Sequence, residues 1–409
     1  MSARERRVRF EGADGSARVG DLVSPLGRPR AWAVFAHCFA CSRQSHAARR
    51  IADALALHEI GTLRFDFAGV GASEGELAAS GFSGQVGDLQ AAARCVEAEV
   101  GEPVRLLVGH SLGGAAVLAA AGELADVAAV ATIAAPSTPA HLGLKFAAEG
   151  ETLPHGAQAC LDVAGQRICI DQRFLDDLRA HDLEADVAAL KRPLLVLHGP
   201  RDAIVGIDQA SALFRAAKHP KSFISLDDAD HLLTAKADAA YAAGVVAAWA
   251  ERYLPATAAP PPAEGAVDVR ETGAGRYVQE VRVGRHRLVA DEPESVGGLD
   301  AGPSPYDLLA AALGVCTSMT IRMYAERKGW PLQAVQVAVR HAKVHRDDSG
   351  AEGSAKIDRL TRVIALDGPL DDAQRARLLE IADRCPVHRT LERANEVVTR
   401  LAEAGRDAQ

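Results

Sequence analysis

A run of prolines divides this chain. Over Tyr253-Leu-Pro-Ala-Thr-Ala-Ala-Pro-Pro-Pro-Ala-Glu-Gly every helical and strand periodicity stops. Proline-rich sequence of this kind forms a semi-rigid spacer, because each ring fixes φ and removes an amide donor. The segments on either side must therefore bury separate cores. The length agrees, since 409 residues exceed what one core supports at roughly 150 residues per domain. The expected organisation is a first domain over 1–254, a linker over 255–264 and a smaller domain over 265–409.

With 48% hydrophobic and 24% charged residues, the chain has enough apolar surface for two cores, which excludes a disordered protein. A net charge of −8 with scattered arginines provides no basic field, so nucleic acid is not an expected partner. The charged start, Met1-Ser-Ala-Arg-Glu-Arg-Arg, lacks a following apolar run and does not resemble a secretory signal. Glu123 and Asp126 interrupt the apolar stretch from Ala115 to Pro136, so no membrane span is expected and the location is read as cytoplasmic. Seven cysteines without regular spacing must then each be judged by their surroundings.

From Arg6 to Tyr253, short continuous apolar runs alternate with helical patterns. The runs are Ala31 to Ala36, Gly61 to Phe67, Val104 to Val108, Val127 to Ile133 and Pro193 to Leu197. Continuous runs suit strands covered on both faces, hence a doubly wound, mostly parallel α/β sheet. Arg6 to Glu11 and Ala17 to Ser24 read as an antiparallel edge hairpin. Residues 138–187, with a hairpin centred on Gly165, read as a small cap. Beyond the linker, strands over Arg276 to Val283 and His286 to Asp291 precede a long apolar helix from about Asp307 to Lys328. Further strands over Leu332 to His345 and Arg359 to Leu366 and a helical tail complete an α+β domain.

Gly109-His-Ser-Leu-Gly113 stands between a strand and a helix. In G-x-S-x-G at that place the glycines permit a turn too tight for side chains, which exposes the Ser111 hydroxyl at a helix N-terminus. Serine needs a base, and the base an orienting acid. Asp202, in Leu197-His-Gly-Pro-Arg-Asp, and His231, in Asp227-Asp-Ala-Asp-His-Leu-Leu, follow later strands in that order. Alone, G-x-S-x-G arises readily by chance; strand, elbow, helix, acid loop and histidine loop in sequence do not. The oxyanion donors are read as the backbone N–H groups of Leu112 and Phe39, in the His37-Cys-Phe-Ala loop. Cys38 and Cys41 form a C-x-x-C there, which redox sites use, but the reading is two small residues on a packed loop. Cys160 and Cys169 flank the predicted hairpin, where they could face each other, and in the cytosol are read as core.

These residues resemble the α/β-hydrolase superfamily over about Arg6 to Leu254, and Asp66-Phe-Ala-Gly-Val-Gly-Ala-Ser resembles a glycine-rich loop of its esterases and lipases. The departure is Cys38, where that family more often has glycine.

Two further cysteines stand out beyond the linker. Cys316 lies within the long apolar helix, where a cysteine is usually a small hydrophobe. Cys385 precedes Pro386, which makes it a helix N-cap whose thiol meets the positive helix end, with His388 one turn on. Gly302-Pro-Ser-Pro-Tyr-Asp-Leu-Leu-Ala-Ala-Ala-Leu-Gly-Val-Cys-Thr-Ser-Met-Thr followed by Cys385-Pro-Val-His resembles the OsmC and organic-hydroperoxide-resistance family. The resemblance implies an intertwined homodimer in which Cys316 attacks a peroxide and Cys385 resolves the sulfenic acid as a disulfide. It also implies an arginine from the first strands, for which Arg276 is the candidate with Arg285 close behind. The family's glutamate is missing, with Tyr306 ten residues before Cys316 and Asp307 next to it.

The expected protein is a bacterial serine ester or thioester hydrolase fused to an OsmC-like thiol peroxidase. It needs no cofactor or metal beyond an external thiol reductant. Its expected partners are small esters, organic hydroperoxides and a second copy of itself. The rival is a plain esterase whose second domain serves only dimerisation or ligand binding.

Overall fold

The computed structural model describes residues 3–39, 41–143, 152–154, 157–163, 166–255, 262–345 and 356–401. The chain forms two compact units, Met1–Pro260 and Pro261–Gln409.

The first unit runs β1 (Ala3–Glu11), β2 (Ala17–Pro25), β3 (Ala31–Ala36), α1 (His46–Leu57), β4 (Ile60–Phe65), α2 (Leu77–Val100), β5 (Val104–His110), α3 (Leu112–Ala121) and β6 (Ala129–Ile133). It continues through α4 (Ala140–Gly143), β7 (Ala159–Val163), β8 (Gln166–Ile170), α5 (Gln172–Ala180), α6 (Leu183–Ala189), β9 (Leu194–His198), α7 (Ile207–Ala216), β10 (Lys221–Ser225) and α8 (Lys236–Ala250). Eight strands share one sheet in the order β1-β2-β4-β3-β5-β6-β9-β10. The hairpin β1–β2 is antiparallel, as is β2 against β4, and every later pair is parallel.

Adjacent apolar residues explain why the sheet is sandwiched. In β5, Leu107 joins the core cluster shared with α2 and α3, whereas Leu106 and Val108 join the opposite cluster with α1 and α8. Both leucines are fully buried, and each such side chain stabilises the fold by roughly 1.5–3 kcal/mol. A run in which adjacent residues are apolar can satisfy its side chains only with helices on both faces.

The cap comprises α4, the β7–β8 hairpin, α5 and α6; Gly165, the expected centre of the hairpin, lies outside the described residues, as does most of the linker. Cys160 and Cys169 face each other as cross-strand partners and are joined by a disulfide. Their reading as two core thiols is thus corrected, since an antiparallel pair places opposed Cβ atoms within bridging range.

The second unit runs β11 (Val267–Glu271), β12 (Gln279–Val283), β13 (His286–Ala290), the helix α9 (Pro305–Lys328), β14 (Ala334–His345), β15 (Lys356–Asp367), α10 (Asp372–Ala382) and α11 (Pro386–Glu392). Strand β11 has no counterpart among the expected strands; it is held by pairing with β12, a tertiary cause that its alternating charges concealed. Helix α9 begins at a capping box between Ser304 and Asp307 with Pro305 at its first position, and ends at Gly329 with φ 66°. It packs on β14, α10 and α11. By length and composition it is the one described helix apolar enough to cross a bilayer, with 28% of its most apolar window buried. Its Arg322 guanidinium donates to the Leu332 carbonyl at 2.6 Å, a bond that ties it into the α+β unit.

Candidate active sites

The elbow begins with two close approaches. A Cβ on Gly109 would stand 2.3 Å from the Gly113 carbonyl oxygen, and one on Gly113 would stand 2.4 Å from that of His37. Only glycine lets β5, α3 and the loop after β3 converge this closely. Ser111 takes φ 55°, a left-handed conformation costing about 1–3 kcal/mol for a residue with a side chain, while its N–H is held by Ile133 O at 2.8 Å. The strain points its hydroxyl outward from the end of the sheet.

The groups expected to serve it come together. Ser111 Oγ lies 2.8 Å from His231 Nε2, and His231 Nδ1 lies 2.7 Å from Asp202 Oδ2. Since the carboxylate can only accept, Nδ1 carries the proton and Nε2 is left to accept from the serine. Asp202 Oδ1 accepts from the N–H groups of Ile204 at 2.8 Å and Val205 at 3.0 Å. Burial pushes the Asp202 carboxyl upward, but the His231 and backbone bonds outweigh it and hold its pKa below the usual carboxylate value. The anion is thereby maintained in a buried place.

Three histidines not singled out from the sequence brace this arrangement, each at the carboxyl end of a strand. His37 follows β3, His110 ends β5 and His198 ends β9. His37 accepts from Phe67 N–H at Nε2 and so donates from Nδ1 to Cys38 O at 2.7 Å. His110 Nε2–H donates to the carbonyl of His231 at 2.7 Å, and His198 Nε2–H donates to the carbonyl of Val205 at 2.8 Å. The oxyanion loop, the histidine loop and the acid loop are thus each tied to a buried ring. Burial lowers the pKa of all three, His110 to about 4 with the nearby His231 as the next cause, so they are neutral near pH 7. The available signal was position: a histidine directly at the end of a continuous apolar strand faces the site edge of the sheet.

Leu112 opens α3 and is buried; Phe39, also buried, stands two residues past His37 with its ring 5.8 Å from that of Phe174 in cap helix α5. Cys38 and Cys41 are joined by a disulfide across a turn closed by Cys41 N–H to Cys38 O at 3.0 Å. The expectation of two unlinked packing residues is corrected here as well, because the turn brings their Cα atoms to 5.1 Å.

In the second unit, Cys385 is the N-cap of α11, as expected, accepting from His388 N–H at 3.3 Å. It is fully buried, and Thr317 Oγ1 lies 3.6 Å from its sulfur. Cys316 is half-buried, and both thiols are free. Successive helical residues point about 100° apart, so the residue that α9 turns towards Cys385 is Thr317. Arg276 is exposed, its guanidinium 5.1 Å from the Tyr277 ring centroid. The arginine brought to this cluster is instead Arg362 of β15, which sequence reasoning passed over. It donates to Thr317 Oγ1 at 2.9 Å and Ala382 O at 2.9 Å, and contacts Asp383 Oδ1 and His388 Nδ1, each at 2.7 Å. A groove of about 480 Å³ runs between α9 and β14, lined by residues that include Asp307, Gly314, Val315, Ser318, Val335 and Val339. The remaining free thiol, Cys95, is buried on α2, and burial with nearby Glu99 pushes its pKa to about 11, so it stays protonated.

Comparison with known proteins agrees with this division. Residues 27–163 match the serine aminopeptidase, S33 family, and residues 297–400 match the OsmC-like protein family. The esterase domain of a Rhodothermus marinus protein is 44% identical, with 62% of this chain and all of that one aligned at a TM-score of 0.52. Est1E of Butyrivibrio proteoclasticus, solved with ferulic acid, shares the fold at 18% identity and a TM-score of 0.51, over 60% of this chain and 98% of its own. The uncharacterised protein YfhR of Salmonella typhimurium is 27% identical, over 56% of this chain and 75% of its own length. A strained serine elbow on a doubly wound sheet, followed by a two-cysteine α+β unit, therefore places the chain among fusions of an esterase-type α/β hydrolase with an OsmC-like domain.

Proposed function

We propose that the first unit cleaves small carboxylic esters or thioesters through an acyl-enzyme on Ser111. The carrying observation is the unbroken hydrogen-bonded series from Asp202 through His231 to Ser111 Oγ. His231 Nε2 takes the serine proton as Oγ attacks the acyl carbon, and Asp202 stabilises the imidazolium that forms. The N–H groups of Leu112 and Phe39 receive the oxyanion. His231 then returns the proton to the leaving group, and water releases the acid by the same steps. A fluorophosphonate label tests this: it should modify Ser111 stoichiometrically and abolish p-nitrophenyl ester hydrolysis. An unlabelled Ser111 in active protein would overturn the assignment.

For the second unit we propose reduction of organic hydroperoxides. Cys316 takes the distal peroxide oxygen as a sulfenic acid and releases the alcohol; Cys385 then condenses with it to a disulfide that an external thiol reduces. The helix-end position of Cys385 supports its role as resolving thiol. We further propose a homodimer. Val315, Met319 and Met323 form an i, i+4, i+8 stripe on α9, exposed by 53%, 61% and 69%, and a second copy would cover it and could bring an Arg276 to Cys316. Neither a cofactor nor a metal enters this reading, nor do nucleic acid or membrane partners, and the chemistry is placed in the cytoplasm. One observation favours a second reading, a dimerisation or ligand-binding module without redox chemistry: Thr317, not Cys316, faces the buried Cys385. Peroxide turnover by the full chain, with a thiol reductant, decides between them.

A further inference from the structure

The Cys38–Cys41 bridge lies where two supports of the hydrolase site meet. Cys38 is bonded through its carbonyl to His37 and precedes Phe39, the residue assigned as oxyanion donor. A ring nitrogen of His110 lies within 4.8 Å of both bridge sulfurs, and His110 Nε2–H holds the main-chain carbonyl of His231. One disulfide thus belongs to the oxyanion loop and lies close to the strut beneath the catalytic base. The far end of the loop is fixed independently. Arg43 donates its backbone N–H to Asp66 Oδ1 at 2.7 Å and its Nε to Asp21 Oδ2 at 3.0 Å, and its Nη1 also pairs with Asp66. All three side chains are buried, so this anchor stays in place when the bridge opens.

The two sulfurs differ in access. Cys38 is 3% exposed, whereas Cys41 is only half-buried, so an incoming thiolate reaches Cys41 first. Cys38 then leaves at a buried position within 4.8 Å of the neutral His110 ring.

We propose that Cys38 and Cys41 are a reversible thiol–disulfide exchange site through which a dithiol reductant lowers the hydrolase's catalytic rate. This rests on the ester-hydrolase reading of Ser111. One thiolate of the reductant attacks Cys41 Sγ, the Cys38–Cys41 bond breaks, and Cys38 departs as a thiolate that takes a proton. The second thiol of the reductant attacks the mixed disulfide, releasing Cys41 and an oxidised cyclic disulfide. Two electrons and two protons pass to the pair. The bridged form holds Phe39 N–H where an oxyanion forms; the dithiol form lets that donor move. Since an oxyanion contact strengthens in the transition state, the loss falls on kcat rather than KM.

The test is p-nitrophenyl acetate hydrolysis by the full chain, equilibrated over a series of reduced-to-oxidised dithiothreitol ratios. Differential alkylation and peptide mapping report the state of each pair at every ratio. Deleting an oxyanion donor outright costs roughly 10²–10³ in kcat; loosening one should lower it about tenfold, with KM changed less than about twofold. Cys41→Ser should have the lower kcat at every ratio and no response. A Cys160→Ser, Cys169→Ser chain, which lacks the cap disulfide, should respond as the wild type does. Unchanged kcat when mapping shows Cys38 and Cys41 fully reduced overturns the proposal, as does a response that follows the cap pair. No hydrolysis in either redox state, with Ser111 unlabelled by fluorophosphonate, overturns the ester-hydrolase reading and this proposal with it.

Discussion

The two units of this protein place their reactive groups under opposite conditions. In the hydrolase unit, Ser111, His231 and Asp202 are buried, mutually hydrogen-bonded and tied down by His110 and His198, all within one chain. In the OsmC-like unit, Cys316 is half-buried on a helix whose apolar stripe faces outward, and Arg276 lies exposed against Tyr277. The first site is complete when its domain folds. The second, as we propose it, is complete only when a partner surface closes over α9. An eight-stranded sheet with helices on both faces can enclose its own site edge; a 24-residue helix beside a two-stranded sheet leaves part of its apolar surface uncovered.

The largest expected effect tests whether the units act separately. Ser111→Ala should reduce ester hydrolysis by more than roughly a thousandfold, because the triad acts as a unit, while hydroperoxide reduction is retained. Loss of both activities in a folded variant would break the distinction drawn between the units.

Next comes the thiol site. Cys316→Ser should abolish peroxide consumption by the full chain, whereas Cys385→Ser should permit one turnover and then over-oxidation of Cys316. Mass spectrometry of peroxide-treated protein should find a Cys316–Cys385 link in the wild type. Thr317 must swing aside for that bond, so its appearance would also establish that the second site is mobile where the first is braced. A free Cys316 while peroxide is consumed would remove the assignment.

The bracing itself has a pH signature. With its folded pKa near 4 and an ordinary value of 6.5, His110 binds fewer protons in the folded state between those limits, so stability should fall as pH drops through that window. One pKa unit corresponds to 1.36 kcal/mol, giving about 3 kcal/mol lost by pH 4 from this group. Urea melts of the wild type and of His110→Gln should show a shallower pH slope in the variant. Equal slopes would mean that the strut is not held neutral.

The smallest effect concerns assembly. Met319→Glu places a charge in the exposed stripe of α9 and should weaken self-association about tenfold or more, read by light scattering across a dilution series. Ester hydrolysis should be unaffected. A wild-type chain that is monomeric at all concentrations would end the contrast between a self-contained and an assembly-dependent site.

Some of this was legible because it depends on local chemistry. Strands apolar at every position, as in Ala31 to Ala36, dictated a sheet covered on both faces; Gly109 and Gly113 around Ser111 dictated a tight elbow; Pro386 after Cys385 dictated a helix cap. These are properties of neighbouring residues, and the order of the acid and histidine loops follows from the order of the strands. Other features required chain segments distant in sequence to meet. The ties from His110 to His231 and from Arg362 to Thr317 are of that kind. No periodicity encodes them, since a histidine or arginine side chain finds its acceptor only after burial has removed water as the alternative. The sequence by itself determined the number of units, the class of each and the nucleophilic elbow. Tertiary structure alone decided which side chains hold the elbow's partners in place, and that α9 turns Thr317 towards Cys385, because those choices are made by packing, not by neighbours along the chain.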